Sequence, residues 1–126
     1  MAGARDFAIQ KFAKDLIESI DNFDLALTNV SPSLLSDATN KDLIALYDGL
    51  KMTEKILMNT LQKHGLERFD PSLDGGEKFN PNEHEATFMT PMEGKEDGKV
   101  FHTQSKGFKL NGRVLRAAKV GVVKNS

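Results

Sequence analysis

The chain has 126 residues, of which 39% are hydrophobic and 28% charged. That suits one modest core or two small linked units of an ordinary soluble protein. With no cysteine there is no disulfide and no thiolate chemistry, and no apolar run approaches the roughly 18 residues a membrane span needs. The net charge of −1 hides a split: residues 1–98 carry ten basic and eighteen acidic side chains, whereas residues 99–126 carry seven basic and none acidic. Such an asymmetry predicts a terminal part tuned for an anionic partner.

The opening Met-Ala-Gly-Ala shows neither a signal peptide nor an Arg-rich transit sequence. The native chain is expected to resume near Arg5 or Asp6, with any targeting segment lying upstream. Residues 4–30 then read as a helix. Ile9, Phe12, Leu16, Ile20, Phe23, Leu27 and Val30 recur at spacings of three and four and form a seam for another helix. Ser31-Pro32 ends it, because proline lacks an amide hydrogen and clashes with the preceding turn. One short turn of helix is expected after it, capped by Ser31.

A second long helix is expected from Thr39, where Thr39-x-x-Asp42 has the form of a capping box. Its stripe is Leu43, Leu46, Tyr47, Leu50, Leu57 and Leu61. Lys63, His64 and Gly65 give a cationic last turn and a glycine stop. Gly49 sits mid-helix at a cost of about 1 kcal/mol relative to alanine. It is either a tolerated defect or a point where another backbone comes close. One such helical hairpin leaves most of its seam wet, so pairing into a dimeric four-helix bundle is expected.

From Leu66 the pattern changes to short strands and turns. Leu66–Phe69 reads as a strand, Asp74-Gly75-Gly76 as a turn, residues 79–86 as an irregular turn, and Ala86–Thr90 as a strand. The end of the chain is the most informative stretch. Asn111-Gly112 tolerates positive φ at both central turn positions, the strongest short hairpin signal. It predicts two long antiparallel strands, Val100–Leu110 and Arg113–Val123. A bulge at Gly107 would bring Phe101, Phe108 and Leu110 onto one face. Val114, Ala118, Val120 and Val122 would share an apolar face, with Arg113 and Lys119 opposite. The expected class is α+β, with a helical segment over 1–65 and a small all-β unit over 66–126.

Catalysis finds little support. His64, His84 and His102 have no metal-ligand spacing, and His84 is expected to brace the turn beside it. Asp74-Gly75-Gly76-Glu77 lacks the Gly-Lys-Ser/Thr of a phosphate loop, and no serine nucleophile elbow is present. No acid, base and oxyanion site assemble, so the chain reads as non-enzymatic, with no cofactor and no metal. The basic hairpin is the one candidate. It is a solvated strand face, a docking element for an acidic protein surface, or a single-strand nucleic-acid binder in which Phe101 and Phe108 interleave with Lys and Arg.

Phe79-Asn80-Pro81-Asn82-Glu83-His84-Glu85-Ala86-Thr87, then Gly107-Phe108, Gly112 and Leu115-Arg116-Ala117-Ala118-Lys119-Val120-Gly121-Val122 resemble the signature of the GrpE family. These are nucleotide exchange factors of DnaK-type heat-shock chaperones. Phe7–Phe12 and Leu46–Leu50 resemble the family's helical part. The wording at Lys63–Leu66, His84–Phe88 and Ala118–Lys124 is closer to mitochondrial members. The resemblance implies a homodimer, a four-helix bundle with two helices from each chain, and a β-wing that grips the chaperone's ATPase domain and promotes ADP release. It implies a place in the mitochondrial matrix and no nucleic-acid partner or membrane insertion. It also implies a very long paired helix upstream, of which only the last turns are present. The matching positions assign partner contact to Gln104, Lys106, Arg113, Val122 and Gly49. They assign shaping of the wing to Asn80, Pro81, His84, Gly107 and Gly112.

Overall fold

The computed structural model describes residues 2–125. The chain divides into two compact units, Met1–His64 and Gly65–Ser126.

The first unit is helical: α1 (Ala2–Thr28), the single turn α2 (Pro32–Leu35) and α3 (Lys41–Lys63). Proline at the start of α2 sets both the end of α1 and the short turn that follows, as its fixed φ dictates. The start of α3 differs from the expected capping box. Its N-cap is Asn40, without a side-chain cap bond. Thr39 is already committed, because its amide and its hydroxyl both donate to the Asp37 carboxylate, at 3.0 and 2.7 Å. The other end behaves as the residues suggest: His64 follows the last turn and Gly65 takes φ +90.

Within one chain, α1 buries Ala13, Ile17, Ile20 and Leu27. This seam keeps Ile20 and Leu27 of the expected stripe but takes Ala13 and Ile17 in place of Phe12 and Leu16. Ile9 and Phe12 stay in the open, Phe12 at 67% exposure, as do Leu46, Leu50 and Leu57 on α3. Each long helix thus leaves apolar surface that its own chain does not cover, and on α3 the buried residue among those described is Glu54. Between the two helices, Phe23 and Leu27 of α1, Val30 just beyond its end, and Leu43, Leu46 and Leu50 of α3 line an open apolar groove.

The second unit holds six strands: β1 (Leu66–Phe69), β2 (His84–Thr90), β3 (Val100–Ser105), β4 (Gly107–Leu110), β5 (Arg113–Arg116) and β6 (Ala118–Val123). They form two three-stranded sheets, β1-β4-β5 and β2-β6-β3. The expected hairpin is present, but its two long strands each break in the middle. β4 pairs with β5 around the Asn111-Gly112 turn, and β3 pairs with β6 further out. The cause lies upstream in sequence. β1 pairs antiparallel with β4, while β2 pairs parallel with β6. Each half of the ribbon recruits a different third strand, and the halves diverge at Lys106 and Ala117. The Lys106 carbonyl is taken by the Arg116 guanidinium across the break.

The break also moves the bulges. None falls at Gly107; the extra residues in β3 are Phe101 and Gln104, and in β2 Thr87. Phe101, Phe108 and Leu110 therefore do not share a face. Phe108 and Leu110 are core residues on β4, and Phe101 is half-buried on the other sheet. Nor does Val114 join the apolar face of Ala118, Val120 and Val122: it lies on β5 at 38% exposure. The core of the second sheet is Val100, Ala118, Val120 and Val122, closed over by Phe69, Phe79 and Ala86.

Candidate functional site

Arg113 is the first residue after the hairpin turn. Asn111 and Gly112 have φ +52 and +83, the positive pair a two-residue turn of this twist requires. The Asn111 amide donates to the Gly65 carbonyl at 2.8 Å, which ties the turn down. Arg113 pairs with Leu110 through the backbone, and its side chain is exposed. A guanidinium there presents a planar fork suited to a carboxylate.

The remaining basic residues of the stretch are less alike than their charges suggest. Lys109 lies 3.2 Å from the Glu83 carboxylate and 5.1 Å above the Phe69 ring. The Arg116 guanidinium stacks 5.2 Å above Phe108 as well as holding the strand break. Both serve the fold. Lys106 is half-buried and its charge acts on Asp70. Burial pushes the Asp70 carboxyl up, but the nearby Thr103 hydroxyl and hydrogen bonding from Ser72, with Lys106 close by, outweigh it and hold the group below its ordinary value. Arg113, Lys119 and Lys124 are exposed.

Two of the expected contact residues stand differently. Val122 is 5% exposed, a member of the sheet core on a central strand. Its side chain has no surface to give a partner, so the expected apolar contact at this position is corrected to a packing role. Gln104 is exposed, on a bulge, and its side-chain oxygen accepts the Thr87 hydroxyl at 2.8 Å. In the helical unit, nothing lies within 4 Å of where a Gly49 side chain would begin. The close approach that would justify a glycine is therefore not made by its own chain.

Asn80 and His84 form a small brace. The His84 amide donates to the Asn80 carbonyl at 2.8 Å, while the Asn80 amide donates to His84 Nδ1 at 2.9 Å. The Asn80 side chain also accepts the Asn82 amide at 2.9 Å. Pro81 follows Asn80 where its fixed φ suits the turn. The imidazole, 4% exposed, lies between the Phe69 and Phe79 rings. Gly107 is shielded by the Phe69 ring, leaving no room for a side chain.

One feature escaped the sequence reading. The Phe88 ring covers Gly121, with Phe101 edge-on at 5.5 Å and His102 at 6.3 Å. A glycine in mid-strand was the available signal, since it marks close approach from above. The aromatic interleaving that a nucleic-acid reading required is absent: Phe108 is fully buried and Phe101 is engaged with Phe88. Among the described residues no group of three or more His, Cys, Asp or Glu could hold a metal ion, and no helix is long and apolar enough to cross a membrane.

Comparison with known proteins gives a consistent answer. The GrpE family profile matches residues 1–124. The mitochondrial GrpE protein homolog of Neurospora crassa is 65% identical over 126 residues, covering 97% of this chain and 52% of that protein. The mitochondrial homolog of Saccharomyces cerevisiae is 54% identical over 121 residues, covering 96% and 51%. The protein GrpE of Francisella philomiragia is 45% identical over 125 residues, covering 99% and 60%. The chain spans about half the length of the mitochondrial relatives it matches.

Proposed function

The chain belongs to the GrpE family, and from that premise we propose that it is a nucleotide exchange co-chaperone: its β unit binds the ATPase domain of a DnaK-type chaperone and promotes release of ADP. The observation that carries this reading is Arg113. It is an exposed guanidinium at the root of a rigid, pinned turn, on a segment with seven cations and no carboxylate.

The mechanism needs no bond made or broken by this protein. A surface that binds an open nucleotide cleft better than a closed one shifts the chaperone toward open. By linkage, nucleotide weakens the grip by the same factor. A preference of about 4 kcal/mol would shift the balance roughly a thousandfold. Arg113 supplies a bidentate contact to a carboxylate, Gln104 on β3 and Lys106 at the strand break add polar contacts of their own, and Gly49 leaves α3 open to approach. Val122 acts only through packing.

The same reading makes the chain a homodimer. The uncovered stripe of Phe12 on α1 and of Leu46, Leu50 and Leu57 on α3 is the seam, and two hairpins joined there form a four-helix bundle. The mitochondrial names of the Neurospora and Saccharomyces relatives support a place in mitochondria.

The test is release of labelled ADP from the chaperone. The wild-type chain is expected to accelerate it, and Arg113→Glu to raise the half-saturating concentration at least tenfold, since about 1.4 kcal/mol is tenfold. Release unaffected by the wild-type chain would end the exchange reading. Release equal for Arg113→Glu and wild type would remove Arg113 from the site.

A further inference from the structure

The two edge strands of the β2-β6-β3 sheet each carry an extra residue on either side of Val120. In β2, Ala86 pairs with Val120 and Phe88 with Gly121, which leaves Thr87 unpaired between them. In β3, Thr103 pairs with Val120 and Ser105 with Lys119, which leaves Gln104 unpaired. Bulges aim side chains where a regular ladder would not. Here the two extra residues meet: Thr87 Oγ1 donates to Gln104 Oε1 at 2.8 Å, joining two strands that share no backbone ladder. The same hydroxyl oxygen lies 3.2 Å from the Val120 carbonyl of the central strand. A hydroxyl has a single proton, and the shorter distance assigns it to Gln104.

We infer that Thr87 is a positioning residue for partner recognition: it fixes the Gln104 side chain across the central strand, with the amide oxygen occupied and the amide nitrogen offered outward as a donor. The inference rests on the exchange reading above and adds the chemistry of one contact. The group Gln104 meets on the partner is an acceptor, a carboxylate or a carbonyl. An exposed glutamine samples many rotamers, and ordering one on binding costs conformational entropy. Thr87 meets that cost in the free protein. Valine at position 87 keeps the shape of threonine and loses the hydroxyl, so the fold is preserved while the bridge is removed.

The experiment measures ADP release against concentration of the chain, with thermal unfolding of each variant as a control. Thr87→Val is expected to raise the half-saturating concentration about fivefold, the weight of one ordinary hydrogen bond. The maximal rate is expected to stay the same. Thr87→Ser, which keeps the hydroxyl, is expected to restore the wild-type value. In a Gln104→Ala background Thr87→Val is expected to cost nothing more. Gln104→Glu still accepts the Thr87 proton but offers no donor. It is expected to lose more than Lys119→Gln, which changes the charge of the same sheet by the same amount. Thr87→Val within twofold of wild type, or an equal loss in the Gln104→Ala background, would overturn the positioning role. Gln104→Glu matching Lys119→Gln would overturn the donor assignment. A wild-type chain without effect on ADP release would sink the exchange reading and this inference together, an outcome separate from the others.

Discussion

The Phe69 ring lies flat against Gly107, the first residue of β4, and the two are also backbone partners in the ladder between β1 and β4. A glycine here is required by packing, since a methyl group would enter the ring. Its φ is not in the left-handed region, so backbone freedom is not the reason. Gly107→Ala is expected to destabilise the β unit by about 1–3 kcal/mol, the usual range for overpacking. Phe69→Leu in the same chain is expected to recover part of that loss, because the two residues are in contact and their effects are coupled. Urea midpoints of the four proteins give the coupling directly. Simple addition of the two losses would show that the ring and the glycine are independent.

The brace at His84 distinguishes between two amides. The acceptor of the Asn80 amide is Nδ1, the nitrogen nearer the backbone. Asparagine places its side-chain oxygen at that distance, and glutamine reaches one carbon too far. His84→Asn is expected to keep more stability than His84→Gln. The larger loss is expected at about 1 kcal/mol, the cost of leaving a half-buried amide without its protein acceptor. Thermal unfolding checks the order. The reverse order would mean that Nδ1 is not the group that matters.

Asp70 makes stability depend on acid. Its folded-state value is held below the ordinary 3.8. A depressed carboxylate contributes stability above its unfolded value and loses it as pH falls through the folded one. The contribution is therefore present at neutral pH and fades below about pH 4. Asp70→Asn is expected to be less stable than wild type at pH 7, with the gap closing as the pH is lowered toward 3. A gap that stays constant with pH would refute the account. The Asp70 carboxylate also accepts the Ser72 amide and hydroxyl at 3.0 and 2.7 Å, so Ser72→Ala is expected to move in the same direction by less.

For the helical unit the decisive quantity is mass in solution. The wild-type chain is expected to sediment at twice 13.9 kDa. Leu46→Glu with Leu50→Glu puts two charges on the uncovered stripe and none on the seam of Ala13, Ile17 and Ile20. The pair is expected to give a monomer, because a charge buried without a partner costs far more than an exposed one. A variant still at double mass would place the contact between copies elsewhere.

How far the residues alone foretold this molecule depends on the range of the interaction. The helices were legible because their spacing is local, although Ile17 and Ala13 took the inner seam that Leu16 and Phe12 were expected to hold. A helix with two apolar stripes does not say which one its own chain covers. The Asn111-Gly112 turn was legible because two adjacent residues dictate it. The division of the ribbon was not, since it is imposed by Leu66–Phe69 and His84–Thr90, dozens of residues away. The parity of Val122 was legible, since it shares the core face with Ala118 and Val120; the contact assigned to it came from the family resemblance alone. Arg113 was legible as an exposed cation beside the turn, whereas Gln104 was named through the family resemblance. The Thr87 hydroxyl beneath Gln104 was not, because bulges leave no mark in a two-residue period.

β6 is the middle strand of its sheet, flanked by β2 and β3, which do not pair with each other. It is also the last of the six strands in chain order. On the ribosome, β2 and β3 therefore emerge with no template and wait for Ala118–Val123 before either has a neighbour. The helices can form early, from contacts close in sequence, while this sheet is completed only after Ala118–Val123 has been made. Until then the segment proposed to grip a chaperone is itself an unfolded stretch with open strand edges, the kind of chain chaperones bind.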